Sequence, residues 1–382
     1  MTDARLLPKS FQRARVSEVA NASERAVLEI LRQSGPLTRS EIARRSGLSA
    51  MSITRISDAL EARGFIRSVG KISEGRGANE GLEINPDAAF CLGVSIRTDS
   101  VAVTLMDFAG ALRGHGSQIV PDMQKAISLE RIGDLMADVI RNEVPDKSRL
   151  FGLGVAISGF FIGEGSKVNP PDLLEDWALT DVEAILAERF ELPVWVDNDG
   201  NAAALAEAMF GLGRIYPSFA YMYFSTGFGG GIVQNGAIWR GRNGNAGEFA
   251  GAIPLDGFVH PNLENLRQVL CAQGTDIPTV AEMVARFDPS WPAIETWLDQ
   301  VTPALNIAAS AASAVLDPDV IILGGILPPV LGERMIERIR FSSSARRGLI
   351  RPVPPVRCAE ISQDAAAIGA AAAPLKAHFF GN

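Results

Sequence analysis

Hydrophobic periodicity is missing from residues 1 to about 20, which read as an arm with Phe11 and Val16 as docking points on a neighbour. Helical spacing then begins. Val27, Ile30 and Leu31 predict a first helix over about 23–33, broken by Gly35-Pro36. Thr38-Arg39-Ser40-Glu41 has the capping-box pattern and predicts a second helix to about Ser46, burying Ile42 and Ala43. Gly47-Leu48 makes a tight turn. Ser49 caps a third helix with Ile53, Ile56 and Leu60 inward, and Gly64 ends it. Residues 65–69 and 82–84 read as a two-stranded ribbon around a loop holding Lys71, Glu74, Gly75, Arg76 and Gly77. Asn85-Pro86-Asp87 is a breaker and marks a domain boundary.

Beyond it the pattern changes. Residues 90–96 and 101–107 form a β-branched, apolar hairpin around Arg97-Thr98-Asp99-Ser100, with a third strand near 111–117. A helix follows over about 123–142, then a buried strand at 151–157, an amphipathic helix at 181–190, and a strand at 193–196 that runs into an Ala-rich helix from Asn201. A second round starts with strand 219–224, the glycine-rich turn 225–231, a return at 232–233 and a strand from 236. Helices are expected at 278–287, 291–315, 330–346 and 365–374, with strands at 320–323 and 356–358 between them. A meander followed by alternating helices and strands, used twice, predicts an α/β body of two similar lobes facing a cleft.

Charge sharpens the division. The 382-residue chain has a net charge of -8, but residues 1–85 carry 14 Lys and Arg against 10 Asp and Glu. That leaves about +4 on the first module and about -12 on the body. Helix, helix, glycine turn, helix, ribbon is the winged helix-turn-helix plan, and a basic example fits double-stranded DNA. The alternative is a three-helix protein-docking module. On the DNA reading, the third helix offers Ala50, Met51, Ser52, Thr54 and Arg55 to the major groove. Arg39, Arg44 and Arg45 face phosphates, and Lys71 and Arg76 belong to the wing, with Arg76 aimed at the minor groove. Paired modules read paired half-sites, so a homodimer or dimer of dimers is expected. Cys91, Cys271 and Cys358 are far apart and make no disulfide framework, there is no secretory signal, and no apolar run is long enough for a membrane, which together point to the cytoplasm.

Candidate chemistry converges on Asp197-Asn198-Asp199, between strand 193–196 and the Ala-rich helix. Open α/β sheets place ligands at the carboxyl ends of strands. One of the three residues suffices as a helix cap; three in a row suit recognition of paired hydroxyls.

Four stretches together resemble the ROK family of repressors, open reading frames and sugar kinases: 198–207, 225–233, Gly244-Asn245-Ala246-Gly247-Glu248, and 317–325. The resemblance implies two ribonuclease-H-like lobes of the actin and sugar-kinase type, about 88–215 and 216–382, preceded by an arm (1–22) and the winged helix (23–85) of the family's repressor branch. It implies a sugar pocket at Asn198, Asp199, Glu248 and Glu264, with Asp172 or Asn169 as a further contact from the Pro170-Pro171 loop. Asp199 matches the family's catalytic aspartate, and Thr226, Gly227, Gly229 and Gly230 belong to the second phosphate loop. The first phosphate loop departs from the family pattern of Asp, an apolar residue, Gly-Gly-Thr: here Ser95-Ile96-Arg97-Thr98-Asp99 stands instead. Two glycines that permit close backbone approach are gone, and Asp99 adds negative charge where phosphates would sit. Productive ATP binding is therefore not expected, and Asp199 becomes a vestigial catalytic residue that accepts a hydroxyl's hydrogen bond. The family's zinc residues are also missing: Gly251 replaces the His, no Cys occurs over 257–263, and His260 alone is no tetrahedral site, so no zinc is expected. The implied function is a sugar-sensing transcriptional regulator, with an ATP-dependent sugar kinase carrying a DNA-binding module as the alternative. A third reading is a ligand-free dimerisation scaffold, which a cleft blocked by its own side chains favours.

Overall fold

A computed structural model describes residues 19–72, 80–141, 143–144, 146–163, 165–342, 345–361 and 364–381. The arm with Phe11 and Val16, and the wing residues Glu74, Gly75, Arg76 and Gly77, lie outside the described residues.

The N-terminal module contains α1 (Ala22–Ser34), β1 (Leu37–Thr38), α2 (Arg39–Ser46), α3 (Ala50–Ala62), β2 (Ile66–Lys71) and β3 (Glu80–Ile84). Local chemistry accounts for the helix ends. Asn21 with Glu24 and Thr38 with Glu41 form complete capping boxes, Ser49 caps α3, and Gly47 takes the left-handed conformation after α2. The expected two-stranded ribbon is a three-stranded sheet of order β1-β3-β2, because Leu37 and Thr38 add a short strand beside β3.

The first lobe continues with β4 (Phe90–Ile96), β5 (Ser100–Asp107), β6 (Leu112–Ile119), α4 (Lys125–Ile140), β7 (Leu150–Ile157), the short pair β8 (Phe160–Phe161) and β9 (Val168–Asn169), α5 (Val182–Phe190), β10 (Val194–Asn198) and α6 (Asp199–Phe210). The second lobe has β11 (Phe219–Phe224), β12 (Phe228–Gln234), β13 (Ala237–Ile238), α7 (Leu263–Ala272), α8 (Val280–Ala285), α9 (Ala293–Leu316), β14 (Val320–Gly325), α10 (Pro329–Arg338), β15 (Val356–Cys358) and α11 (Ala365–His378). The sheets run β10-β7-β4-β5-β6 and β13-β12-β11-β14-β15. In each, an antiparallel meander is extended by two parallel strands, so the same unit is used twice. The fold is α/β: two ribonuclease-H-like lobes of the actin and sugar-kinase type behind a winged helix.

Two expectations change. The helix expected over 330–346 ends at Arg338, where Ile339 turns extended and buries, and the Arg340 and Ser342 amides bond Asn306 and Ser310 of α9. The C-terminal helix, placed by sequence in the second lobe, lies instead on the first-lobe sheet and against α6. Glycines make this possible. A Cβ at Gly93 would lie 2.0 Å from the Ala367 carbonyl oxygen, at Gly154 1.8 Å from that of Ala370, and at Gly369 1.7 Å from that of Ala202. An alanine-rich helix is thus pressed between sheet and helix with no room for side chains.

The winged helix is not a bead on a linker. Its core residues Val27, Leu31, Ile53, Leu60 and Phe65 are continuous with Phe108, Met209, Phe379 and Phe380 of the body. Phe108 stacks on Phe65 at 5.2 Å and meets Phe379 edge-on at 4.9 Å.

Candidate functional site

The exposed end of α3 carries the candidate DNA readers. Met51 is 84% exposed, and Thr54 and Arg55 are exposed beside it. Ser52 folds back to share the cap with Ser49 (Oγ to Oγ 2.9 Å), and the Thr54 hydroxyl donates to the Ala50 carbonyl. Arg44 is exposed; Arg45 donates to Ser34 Oγ at 2.5 Å. Arg39 is placed differently from expectation. It pairs with Asp58 at 3.1 Å, with Glu61 at 3.6 Å and with Glu80 at 4.0 Å, tying α2 to α3 and β3. In the free protein it therefore braces these elements. Lys71 is exposed at the end of β2.

The cleft is built where the two lobes present the ends of β4, β10, β11 and β12. Asn198 is the N-cap of α6: its Oδ1 accepts from the Gly200 and Asn201 amides at 2.7 and 3.4 Å, and its Nδ2 donates to the Gly159 carbonyl at 2.6 Å. The cap reading holds for this residue, and little hydrogen-bonding capacity remains for a ligand. Asp197 is also engaged, accepting from Arg240 of the second lobe at 2.6 Å and from Asn201 at 3.0 Å. Asp199, the first residue of α6, accepts from Ser158 Oγ at 2.6 Å and from the Gly200 amide at 2.9 Å. Burial lifts its pKa to about 6, against the opposing pull of those bonds and of Arg97.

Gly200 meets Gly230 so closely that a Cβ on Gly200 would sit 2.5 Å from the Gly230 carbonyl oxygen. This contact seats α6 on β12. Gly230 is therefore a packing position under the Phe249 ring; Thr226 and the exposed Gly227 lie in the turn, and Gly229 is half-buried just inside β12. Glu248 lies over that turn, its Oε2 3.9 Å from where a Gly229 Cβ would be. Its pKa rises to about 7, first from the low-dielectric walls and then from Asp199. The carboxylate is open to solvent, which screens part of that effect.

Neither Glu264 nor Asp172 is hydrogen-bonded to Asp199 or Glu248. Both Glu264 oxygens are committed on α7 itself, to Arg267 at 2.6 and 2.8 Å and to Gln268 at 3.0 Å. The sequence pattern predicts no helix here; a capped helix with an i,i+3 pair turns the carboxylate along its own surface. Asp172 is exposed at the start of a 3-10 turn over residues 172–177, and Asn169 pairs with Phe160 in the β8–β9 ribbon.

At the first hairpin the two lobes are bridged directly. Thr98, at the first hairpin, donates to Thr226 Oγ1 of the second at 2.7 Å. Asp99 accepts from the Ala281 amide at the start of α8 at 2.7 Å. Arg97 donates to Ser100 Oγ at 3.0 Å and to Asp364 at 2.5 Å, and His115 Nε2 meets the other Asp364 oxygen at 2.6 Å. Burial pushes the Asp364 pKa up, but His115 and Arg97 outweigh it and hold the group at about 2. Asn245 adds a further bridge, exchanging bonds of 2.8 and 3.0 Å with the Phe161 backbone. Sequence reasoning missed Arg240, Asn245, His115 and Asp364. Only Asn245 carried a signal, as part of the 244–248 motif. Among the described residues, no group of three or more His, Cys, Asp or Glu side chains is arranged to hold a metal ion, and no helix is long and apolar enough to cross a membrane.

Residues 92–376 match the ROK family model. The chain belongs to the ROK family. Residues 21–72 match the MarR family model. The chain is 28% identical over 309 residues to the DNA-binding transcriptional dual regulator NagC of Escherichia coli, covering 79% of this chain and 75% of that one. It is 23% identical over 243 residues to the xylose repressor of Bacillus spizizenii, covering 62% of each, so that match spans less than two thirds of the relative. A solved ROK family transcriptional regulator, a homologue of the E. coli MLC protein, superposes with a TM-score of 0.66 at 21% identity over 93% of this chain and 95% of that one. A ROK family glucokinase from Streptomyces griseus, solved with glucose and AMPPNP, superposes at 0.60 with 20% identity, over 74% of this chain and 98% of that one. The glucokinase match covers about the share of this chain that the two lobes occupy; the regulator match covers nearly all of it.

Proposed function

We propose that this ROK protein is a DNA-binding transcriptional regulator of the repressor type, whose cleft binds a sugar or sugar derivative through Asp199 and Glu248 and changes operator affinity. The observation that carries this reading is the inter-lobe contact of Thr98 with Thr226, with Asp99 beside it. A kinase needs backbone amides open to phosphates and a cation to offset their charge. Here two side chains bridge the space and one is an acid. No ATP and no zinc enter the proposal. The sugar side keeps Asp199 and Glu248, so the blocked cleft of the scaffold reading applies to the phosphate end alone. Relatives named for xylose and repression support the direction of the reading. Two copies of the chain would present two α3 helices to paired half-sites.

The test has two arms. Xylose, N-acetylglucosamine and their phosphates are screened by thermal shift, and each hit is added to the protein on the duplex it selects from a random-sequence pool. A hit that changes duplex affinity supports the reading; hits that leave it unchanged refute it. ATP-dependent phosphorylation of a hexose panel, abolished in Asp199→Asn, would instead establish the kinase reading that the retained Asp199 and the glucokinase fold keep open.

A further inference from the structure

We propose that α6 and α11 form a paired lever that carries the state of the cleft to the winged helix, with Arg97–Asp364 as its latch. The inference rests on the cleft being the effector site.

Both helices start in the cleft. α6 begins with Asp199, and α11 follows Asp364, which is held by Arg97 and His115. Both end under the winged helix. The Met209 carbonyl of α6 accepts from Arg32 of α1 at 3.1 Å. The Lys376 and Phe380 carbonyls at the end of α11 accept from Arg25 of α1 at 2.9 and 2.5 Å, and the Ala20 amide donates to the His378 carbonyl at 3.1 Å. Arg32 also lies 6.0 Å from the Phe210 ring and 5.6 Å from the Phe380 ring, touching both helix ends at once. Two arginines of a DNA-binding module thus serve helix C-termini, where a cation is electrostatically favoured, instead of nucleic acid.

The two helices move together. Gly369 has no space for a methyl group against Ala202, so the pair has almost no freedom to slide or separate at their crossing. Helices of 12 and 14 residues span about 18 and 21 Å. A small tilt at the cleft end therefore becomes a displacement of α1 at the far end. The drive comes from the first hairpin. Arg97 pulls on the start of α11 from one side of the turn, while Thr98 and Asp99, its next two residues, hold the second lobe. Opening of the lobes strains one set of contacts or the other. The degraded phosphate loop has thereby become the mechanical link between lobe closure and the C-terminal helix.

The test uses the full chain and the selected duplex, with no sugar. Hydrogen exchange is compared in wild type and Arg97→Met. The expected result is at least about fivefold faster exchange in α1 and residues 376–381 than the general acceleration read in α7 and α9 of the second lobe, with a cooperative melt retained, and a change of at least about fivefold in duplex Kd, the lower end of measured couplings. Faster exchange confined to residues 96–100 and the first turn of α11, with Kd unchanged, overturns the lever. Thr98→Val, which removes only the tip contact, gives the same readout if Arg97→Met does not fold. Adding xylose or N-acetylglucosamine separates the two ideas. If neither sugar acts but Arg97→Met still reaches α1, the lever stands and sugar sensing falls. If either sugar shifts Kd equally in wild type, Arg97→Met and Arg25→Met, sensing stands and the lever falls.

Discussion

Gly369→Ala tests the close packing on which the body is built. Alanine is the better helix former by about 1 kcal/mol in a helix interior, so propensity alone predicts a stabilised protein. The tertiary contact predicts the opposite. The added Cβ would lie 1.7 Å from the Ala202 carbonyl oxygen and 3.1 Å from the Ala206 amide. An unstrained contact needs about 3.5 Å, so α6 and α11 must part by roughly 1.5–2 Å. Both neighbours are backbone, and no rotamer change relieves the clash. Retreat of α11 is blocked on its other side, where Gly93 and Gly154 already admit its backbone at the limit. Overpacking usually costs about 1–3 kcal/mol, and a site so enclosed belongs at the upper end. After the propensity gain, a net loss of about 2 kcal/mol is expected. Urea denaturation followed by far-ultraviolet circular dichroism measures it. Gly251→Ala is the control, because a Cβ there meets nothing within 4 Å, and it should stay within about 0.5 kcal/mol of wild type. Equal midpoints for Gly369→Ala and wild type, or a higher one for Gly369→Ala, would refute the packing argument.

Arg97→Met should cost about 3 kcal/mol, since it leaves the buried Asp364 carboxylate with only His115; adding Asp364→Leu should recover part of that loss, and a double mutant no more stable than the single would count against the pair. The Asp364 pKa is depressed to about 2, so its stabilising contribution is present above about pH 4 and is lost as pH falls toward 2; acid titration of wild type and Asp364→Leu should diverge in that window. Asp199 has the opposite sign. Its folded pKa of about 6 exceeds the unfolded value, so the folded state holds the extra proton and stability drops between about pH 4 and 6 as pH rises. Asp199→Asn should accordingly stabilise the protein at pH 8 by on the order of 3 kcal/mol and have little effect at pH 4; the same melting shift at both pH values would exclude this cause. On DNA, Arg55→Ala should weaken duplex binding and either flatten the salt dependence by about one counterion or relax one base position, whereas Arg39→Ala should lower the melting temperature of the module and leave the salt slope unchanged.

The glycine-rich loops show how far pattern reading reaches. Gly227 is exposed in a turn that composition alone marks. Gly230 has the same identity three residues further on, yet it is buried against Gly200 and Phe249. Nothing local separates the two roles. Asn198 is a similar case: cap and ligand demand the same amide, and only the positions of the Gly200 amide and the Gly159 carbonyl decide between them.

Short-range chemistry was legible from the sequence by itself. Periodicity set the helices of the winged helix, the Thr38–Glu41 box and Ser49 set their starts, Gly47 set the turn, and the repeated meander set the two lobes. Each of these interactions spans a few residues, so the partners are named by the spacing. The sequence also showed that residues 95–99 depart from the family's first phosphate-loop pattern, because missing glycines need no partner to be noticed. Which partners those residues take was decided by the tertiary structure. Arg97 finds Asp364 at a separation of 267 residues, Thr98 finds Thr226 at 128, and Arg25 finds Phe380 at 355. The chain offers 44 acidic residues to any arginine, and spacing does not choose among them. That choice falls to the packing of α11 between sheet and α6, which brings one aspartate to the hairpin and two phenylalanines to the winged helix.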